Sequence, residues 1–293
     1  MIWTGTCRSK PWMKDLPHDL PQPVFSRSFG EGARQMLAVH CSLAHSGTWR
    51  GLCEALEGAV TITAFDMLSH GRSPDWDRQG DYQDRNTAAG LSLMPKGQPI
   101  DLIGHSFGAT VALRMALARP EQVRSLTLIE PVLFRVALED NPEMSARVQE
   151  ENRPFLDAYE AGDEALAARL FNRSWSSGAP RWPELPETTR AAMTRAIHIV
   201  PACDAAVYQD RPGVLAPGVL EALDLPILLL RGSETNPIIG VVNEGLLRRL
   251  PNARSGVIAG AGHMVSITHP AETAATIRTF WTEMDREMAP EGR

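Results

Sequence analysis

The segment Pro99–Arg119 decides the fold of this chain, and it reads PIDLIGHSFGATVALRMALAR. Its first half has the short apolar run expected of a buried strand, and its second half repeats apolar residues at helical spacing. Between the halves lies GHSFG at 104–108, which matches the pattern Gly-x-Ser-x-Gly. In a strand–turn–helix context this pattern places its serine on a sharp turn, with the hydroxyl lifted out of the backbone. The helix start also carries partial positive charge, which favours a developing oxyanion. The segment therefore predicts a nucleophile at Ser106.

The composition argues against several classes of protein. The chain has 293 residues, 43% of them hydrophobic and 22% charged, with a formal net charge of −6, as is typical of a globular protein. It has no basic run, which argues against a nucleic-acid or anionic membrane partner. No apolar run approaches the length of a membrane span, and residues 1–23 lack the apolar core of a secretory signal. We expect a small-molecule substrate and no nucleic-acid or membrane partner, and leave a homodimer open.

The cysteines are scattered and form no Cys-x-x-Cys pair; they are Cys7, Cys41, Cys53 and Cys203. Scattered free thiols are typical of a reducing compartment, so we expect a cytoplasmic protein. No cluster of cysteine and histidine has the spacing of zinc ligands. We therefore expect neither a metal nor a cofactor.

Strand and helix patterns alternate along most of the chain. Predicted strands lie at 24–29, 35–40, 60–65, 100–103, 123–129, 226–230 and 254–258, with helices at 48–56, 81–94, 239–250 and 270–288. This alternation predicts an α/β fold with a mostly parallel central sheet and helices on both faces. Between Glu130 and Leu223 helical patterns continue without a strong strand, which indicates an inserted helical cap. The predicted organisation is an arm at 1–23, a core at 24–130 and 224–293, and a cap at 131–223.

Four motifs, taken in order, resemble those of the α/β-hydrolase superfamily. They are the loop that begins at His40, Asp66 with HGRS at 70–73, GHSFG at 104–108, and GAGHM at 260–264. The resemblance implies a cap inserted after the strand that ends at Ile129, Ser106 as nucleophile and His263 as general base. The order serine, acid, histidine is the one this fold uses. A free hydroxyl is a weak nucleophile, so Ser106 needs an imidazole to take its proton.

Two carboxylates compete for the role of triad acid. The family usually has aspartate three residues after the glycine that ends the sixth predicted strand, and here that position is Thr235. Glu234 is its neighbour. Glu130 follows an earlier strand, where some relatives, notably a subgroup of haloalkane dehalogenases, carry the acid. Burial beside an apolar run would be costly for Glu130 without a partner, and His263 would supply one. We favour Glu130 and keep Glu234 as the alternative.

The oxyanion hole is expected to use two backbone N–H groups, those of Phe107 and Ser42. The family pattern His-Gly-x makes the third residue the donor, but Cys41 replaces the glycine here. A residue other than glycine resists a positive φ, so the backbone angles that the family pattern implies for this loop are in question here. We interpret Cys41 as a small buried filler rather than a reactive thiol.

The substrate pocket is expected to be mostly hydrophobic, because the cap supplies aromatic side chains. We expect His105, which flanks the nucleophile, to line it, and His70 to brace its own loop. The aromatic residues predicted to line the pocket are Phe134, Phe155, Trp175 and Trp182.

The motifs predict a serine hydrolase that cleaves a small or medium apolar ester through an acyl-enzyme. Alternatives with the same machinery are a C–C bond hydrolase and a cofactor-free haloperoxidase. Haloalkane dehalogenases and epoxide hydrolases are disfavoured, because those families need aspartate at the position of Ser106. A different alternative is a non-catalytic ligand-binding protein on the same scaffold, since fold alone does not give function.

Overall fold

Seven strands form one sheet in the computed structural model, which describes residues 23–176 and 179–288. They are β1 (Ser26–Phe29), β2 (Arg34–Val39), β3 (Val60–Phe65), β4 (Ile100–His105), β5 (Val123–Ile129), β6 (Ile227–Gly232) and β7 (Ala253–Ile258). Their order is β1-β3-β2-β4-β5-β6-β7, with β1 antiparallel to β3 and the other pairs parallel. This is the α/β-hydrolase fold that the motifs imply. Residues 1–22 of the predicted arm lie outside the described residues.

Helices cover both faces of the sheet. One face carries α2 (Tyr82–Leu93), α3 (Phe107–Ala118) and α10 (Pro237–Arg249), and the other carries α1 (Arg50–Ala55), α11 (Val265–Thr268) and α12 (Pro270–Met288). Strand side chains alternate between the faces. In β2, Leu37 and Val39 join the first apolar core, whereas Met36 and Ala38 join the second. Throughout residues 23–176 and 179–288, each helix is too short or too polar to cross a bilayer.

The regular elements described between β5 and β6 are all helices, joined by turns and loops, and residues 131–176 and 179–223 contain no strand. The region comprises α4 (Phe134–Asp140), α5 (Pro142–Glu160), α6 (Glu164–Trp175), α7 (Glu187–Ala196), α8 (Ile199–Ala202) and α9 (Asp204–Val207). Side-chain oxygens of Asn141 and Asp163 cap the starts of α5 and α6 by accepting backbone N–H bonds. Phe155, Met193 and Ile197 belong to an apolar cluster of this region, so the cap has a small core of its own.

Ion pairs tie the cap to the sheet domain. Arg211, which follows α9, contacts Asp84 at the start of α2. Asp84 also pairs with the buried Arg114 of α3. On another side, the Ser69 hydroxyl lies 3.1 Å from His198 Nε2, and Arg195 donates to the Ser69 carbonyl. These contacts fix the cap over the carboxyl ends of the central strands.

Candidate active site

Ser106 lies at the turn between β4 and α3, in a backbone conformation that few residues adopt. Its φ is 57° and its ψ is −120°, and such strain concentrates at functional sites. The flanking glycines permit the turn. A Cβ on Gly104 would lie 2.3 Å from the Gly108 carbonyl oxygen, and one on Gly108 would lie 2.3 Å from the His40 carbonyl oxygen. The close approach of strand, helix and neighbouring loop therefore requires glycine at both positions.

The structure brings Ser106, His263 and Glu130 together in one chain of hydrogen bonds. His263 Nε2 lies 2.9 Å from Ser106 Oγ, and His263 Nδ1 lies 2.8 Å from Glu130 Oε2. All three side chains are buried. Because the carboxylate can only accept, the imidazole carries its proton on Nδ1 and donates it to Glu130. Nε2 is then free to accept the Ser106 hydroxyl proton, as a general base requires.

Glu130 is held from three sides. The Gly232 N–H donates to Oε1 at 2.6 Å, and the Thr235 hydroxyl donates to Oε2 at 2.5 Å. Together with the His263 N–H, these donors satisfy a carboxylate that is fully buried. Glu130 also adopts a φ of 52°. The site thus keeps a strained, buried acid in place with specific hydrogen bonds.

The alternative acid, Glu234, is placed elsewhere. Its side chain is exposed, and its backbone N–H donates to the Ala261 carbonyl at 2.9 Å. Thr235, at the family's usual acid position, turns inward and donates to Glu130. Of the two carboxylates considered from the sequence, Glu130 is the one in contact with His263.

The predicted oxyanion donors, Ser42 and Phe107, lie beside the nucleophile, and both line the cavity that Ser106 faces. Within the described part of the chain, neither backbone N–H has a hydrogen-bond partner. The Leu43 N–H, by contrast, donates to His70 Nε2 at 3.0 Å. The two amides at Ser42 and Phe107 are therefore available to a bound oxyanion.

The loop tolerates cysteine in place of glycine because the strained angle falls on another residue. Leu43 has a φ of 61°, whereas Cys41 is not among the described residues with positive φ. Burial raises the pKa of the Cys41 thiol to about 12. Cys41 is therefore a protonated, buried side chain at neutral pH, in line with its interpretation as a filler.

Two buried histidines brace this region. His40 Nε2 accepts the Met67 N–H at 2.9 Å, and His70 Nδ1 donates to the Leu68 carbonyl at 2.9 Å. Burial lowers the pKa of His40 to about 4 and that of His70 to about 3. Both rings are therefore neutral at pH 7, with one nitrogen donating and one accepting. His70 braces its loop as predicted, and also the loop at Leu43.

The prediction that His105 lines the pocket is wrong. Its ring is buried and its Nε2 donates to the His263 carbonyl at 2.8 Å. It lies next to Ser106 in sequence, but the sharp turn sends the two side chains in different directions, and His105 borders neither cavity at the serine. Burial, reinforced by the nearby His263, lowers its pKa to about 3. His105 thus supports the backbone of the base.

A cavity of about 530 Å³ opens beside Ser106 beneath the cap. Phe134, Phe155 and Trp175 line it, as predicted from the sequence. Trp182 does not; it packs against the apolar cluster inside the cap, because its short helical turn lies outside the cavity wall. The outer part of the cavity is polar and is formed by Gln149, Glu150, Asn152, Arg153 and Asp204.

A second cavity, of about 60 Å³, also meets Ser106. It is bounded by His263 and Met264, by the loop at 41–44, by α6 and by Met193 of α7. Neither this cavity nor the role of Thr235 could be predicted from the sequence, since both depend on contacts between distant segments.

No group of three or more histidine, cysteine, aspartate or glutamate side chains that could hold a metal ion occurs in the described residues.

Known proteins match most of this chain in sequence and in fold. The model of the alpha/beta hydrolase family matches residues 36–276. The lipase LipV of Mycobacterium tuberculosis is 28% identical over 261 residues, which cover 85% of this chain and 93% of the relative. The pimeloyl-[acyl-carrier protein] methyl ester esterase of Methylococcus capsulatus is 30% identical over 262 residues, which cover 88% of this chain and 98% of the relative.

Solved structures share the fold at lower sequence identity. A thermophilic esterase from Thermogutta terrifontis superposes with a TM-score of 0.67 at 21% identity, and the match covers 89% of this chain and 93% of the esterase. At this identity the likeness shows the fold alone.

Proposed function

The chain belongs to the alpha/beta hydrolase family, and from that membership and the geometry at Ser106 we propose that it is a serine carboxylesterase. The substrate we propose is a small or medium apolar ester, cleaved through an acyl-enzyme. The observation that carries the proposal is the unbroken chain of hydrogen bonds from Ser106 through His263 to Glu130 at the floor of a cavity.

In the first half of the reaction, Ser106 Oγ attacks the ester carbonyl carbon while His263 Nε2 takes the hydroxyl proton. The charge on the carbonyl oxygen is stabilised by the N–H groups of Ser42 and Phe107. Glu130 keeps the imidazole in the required tautomer and stabilises the imidazolium that forms. The ester C–O bond then breaks, and His263 gives the proton to the departing alcohol. In the second half, water repeats these steps on the acyl-enzyme and frees the acid and Ser106.

The larger cavity supports an apolar substrate, since aromatic and aliphatic side chains form much of its lining. Phe134, Val132 and Val207 are examples. The two curated relatives compared above are a lipase and an esterase, both named for cleavage of ester bonds. These names favour ester hydrolysis over the C–C bond hydrolase and haloperoxidase alternatives.

A screen with methyl esters of increasing acyl length, in which the released acid is titrated, tests the proposal. We expect turnover of short and medium esters, and a loss on the order of 10³-fold or more in S106A. S145A is a matched control, because Ser145 is also buried but borders neither cavity at Ser106. It should retain the activity of the parent protein.

Two outcomes would contradict the proposal. Full activity in purified S106A would remove Ser106 as nucleophile. Labelling of Ser106 by a fluorophosphonate, with no turnover of any ester, would indicate the non-catalytic ligand-binding protein instead.

A further inference from the structure

The two cavities at Ser106 differ about ninefold in volume, about 530 Å³ against about 60 Å³. An ester has two arms, acyl and alkoxy, that meet at the carbon a nucleophile attacks. Ser106 borders both cavities, so an ester attacked there can place one arm in each. The size difference then allows a longer arm in the larger cavity than in the smaller one.

The position of His263 tells which arm enters which cavity. When the C–O bond breaks, the imidazolium Nε2 must lie within hydrogen-bond reach of the departing alkoxy oxygen, because it delivers the proton there. His263 borders the smaller cavity and does not border the larger one. The alkoxy arm therefore leaves on the side of the smaller cavity.

We propose that the smaller cavity is the leaving-alcohol site and that the enzyme selects esters of short alcohols. This inference rests on the proposed function, since it concerns the same serine. Bond changes are those of acylation: Ser106 Oγ bonds to the acyl carbon, the C–O bond breaks, and the proton taken from Ser106 goes to the alkoxy oxygen. The acyl arm occupies the larger cavity and can therefore be longer than the alkoxy arm.

The volume sets the size of the alcohol. A water molecule takes up roughly 10–15 Å³ of such a cavity, so the smaller cavity has room for on the order of four to six water molecules. An alcohol of one to about three carbons fills that space. A longer chain meets the wall, and a misfit of one methylene in an apolar pocket costs about 10-fold or more in kcat/KM.

Met193 forms part of the wall that the cap contributes to the smaller cavity. It lies on α7, it is buried, and it borders the smaller cavity but not the larger one. Truncation to alanine would lengthen the cavity into the cap and admit a longer alcohol. Val207 on α9 is the matched control, because it is also buried but borders only the larger cavity of the two.

The test measures kcat/KM on two ester series for the parent protein, M193A and V207A. One series keeps a butanoyl group and varies the alcohol from methanol to hexanol; the other keeps methanol and lengthens the acyl chain. For the parent, we expect the hexyl ester to fall at least about 10-fold below the methyl ester. M193A should reduce the ratio of kcat/KM for the methyl ester to kcat/KM for the hexyl ester about 10-fold or more, and it should leave the acyl series unchanged. V207A should alter the acyl series alone.

The results can separate this inference from the proposed function. If esters are cleaved but the alcohol series is flat, or responds to V207A rather than M193A, the assignment of the two arms is wrong. If no ester is cleaved by any variant, both proposals fail together. Should M193A not fold, A44V provides a second test, because Ala44 borders the smaller cavity on another side and a larger side chain there would shorten the cavity. Its added methyl groups should depress the propyl ester at least about 10-fold relative to the methyl ester, and an unchanged ratio would overturn the inference.

Discussion

Replacement of Glu130 by glutamine tests the assignment of the acid. Three donors face the two carboxylate oxygens: the Gly232 N–H on Oε1, and the Thr235 O–H and His263 N–H on Oε2. A glutamine has one oxygen and one NH₂ group, so it cannot accept from both sides. With its oxygen toward His263, its NH₂ opposes the Gly232 N–H, at a cost of about 1–3 kcal/mol for unpaired buried donors.

The reversed amide is the less costly arrangement. Its oxygen accepts from Gly232, the Thr235 hydroxyl rotates to accept, and its NH₂ points at His263 Nδ1. The imidazole must then present a lone pair at Nδ1 and carry its proton on Nε2, toward Ser106. In that tautomer it cannot accept the serine proton, so activity falls by up to about 10⁴-fold.

The assay is the steady-state kcat/KM for methyl butanoate in E130Q, with E234Q as the matched control. Glu234 is exposed and its side chain has no contact with His263, so E234Q should stay within about threefold of the parent protein. Thermal unfolding checks that both variants fold. Near-parent activity in folded E130Q, or a loss of activity in E234Q instead, would refute the assignment of Glu130 as the acid.

Three further predictions follow from other contacts. T235V removes the hydroxyl that donates to Glu130 and should lower kcat about 10-fold, whereas T235S keeps the hydroxyl and should keep the parent kcat. Equal kcat in the parent protein, T235V and T235S would contradict a role of this hydroxyl in positioning Glu130. The folded state depresses the pKa of His105 to about 3, so stability falls as pH drops below 6.5. In urea titrations, H105Q should reduce the slope of the free energy of unfolding against pH by up to about 1.4 kcal/mol per pH unit. An unchanged slope would contradict this effect of His105. Iodoacetamide at pH 8 should leave Cys41 and Cys203 unmodified in the native protein, because burial raises both thiol pKa values. Rapid alkylation of either thiol, detected by mass spectrometry, would contradict this.

Local sequence signals were sufficient for the sheet and the serine turn. All seven predicted strands overlap the observed strands, because buried apolar runs with flanking turn residues leave few alternatives. The turn at Ser106 is encoded within five residues, since Gly104 and Gly108 are required by the closeness of strand, helix and loop.

Contacts between distant segments could not be predicted in the same way. The hydrogen bond from Thr235 to Glu130 joins residues 105 positions apart, and nothing in the local pattern of either residue indicates it. The error at His105 has the same origin, because adjacency to Ser106 does not fix the direction of a side chain after a turn. The cap was predicted as helical, but its pattern did not reveal that Met193 reaches the smaller cavity.

The proposed role of Ser106 as the nucleophile of a covalent hydrolase can be tested by covalent labelling. The experiment is intact-protein and peptide mass spectrometry after treatment with a fluorophosphonate, which loses fluoride when a serine oxygen attacks phosphorus. We expect one adduct on the peptide containing Ser106 in the parent protein and in S145A, and no adduct in S106A. An unlabelled parent protein, or an equal adduct in S106A, would contradict this role.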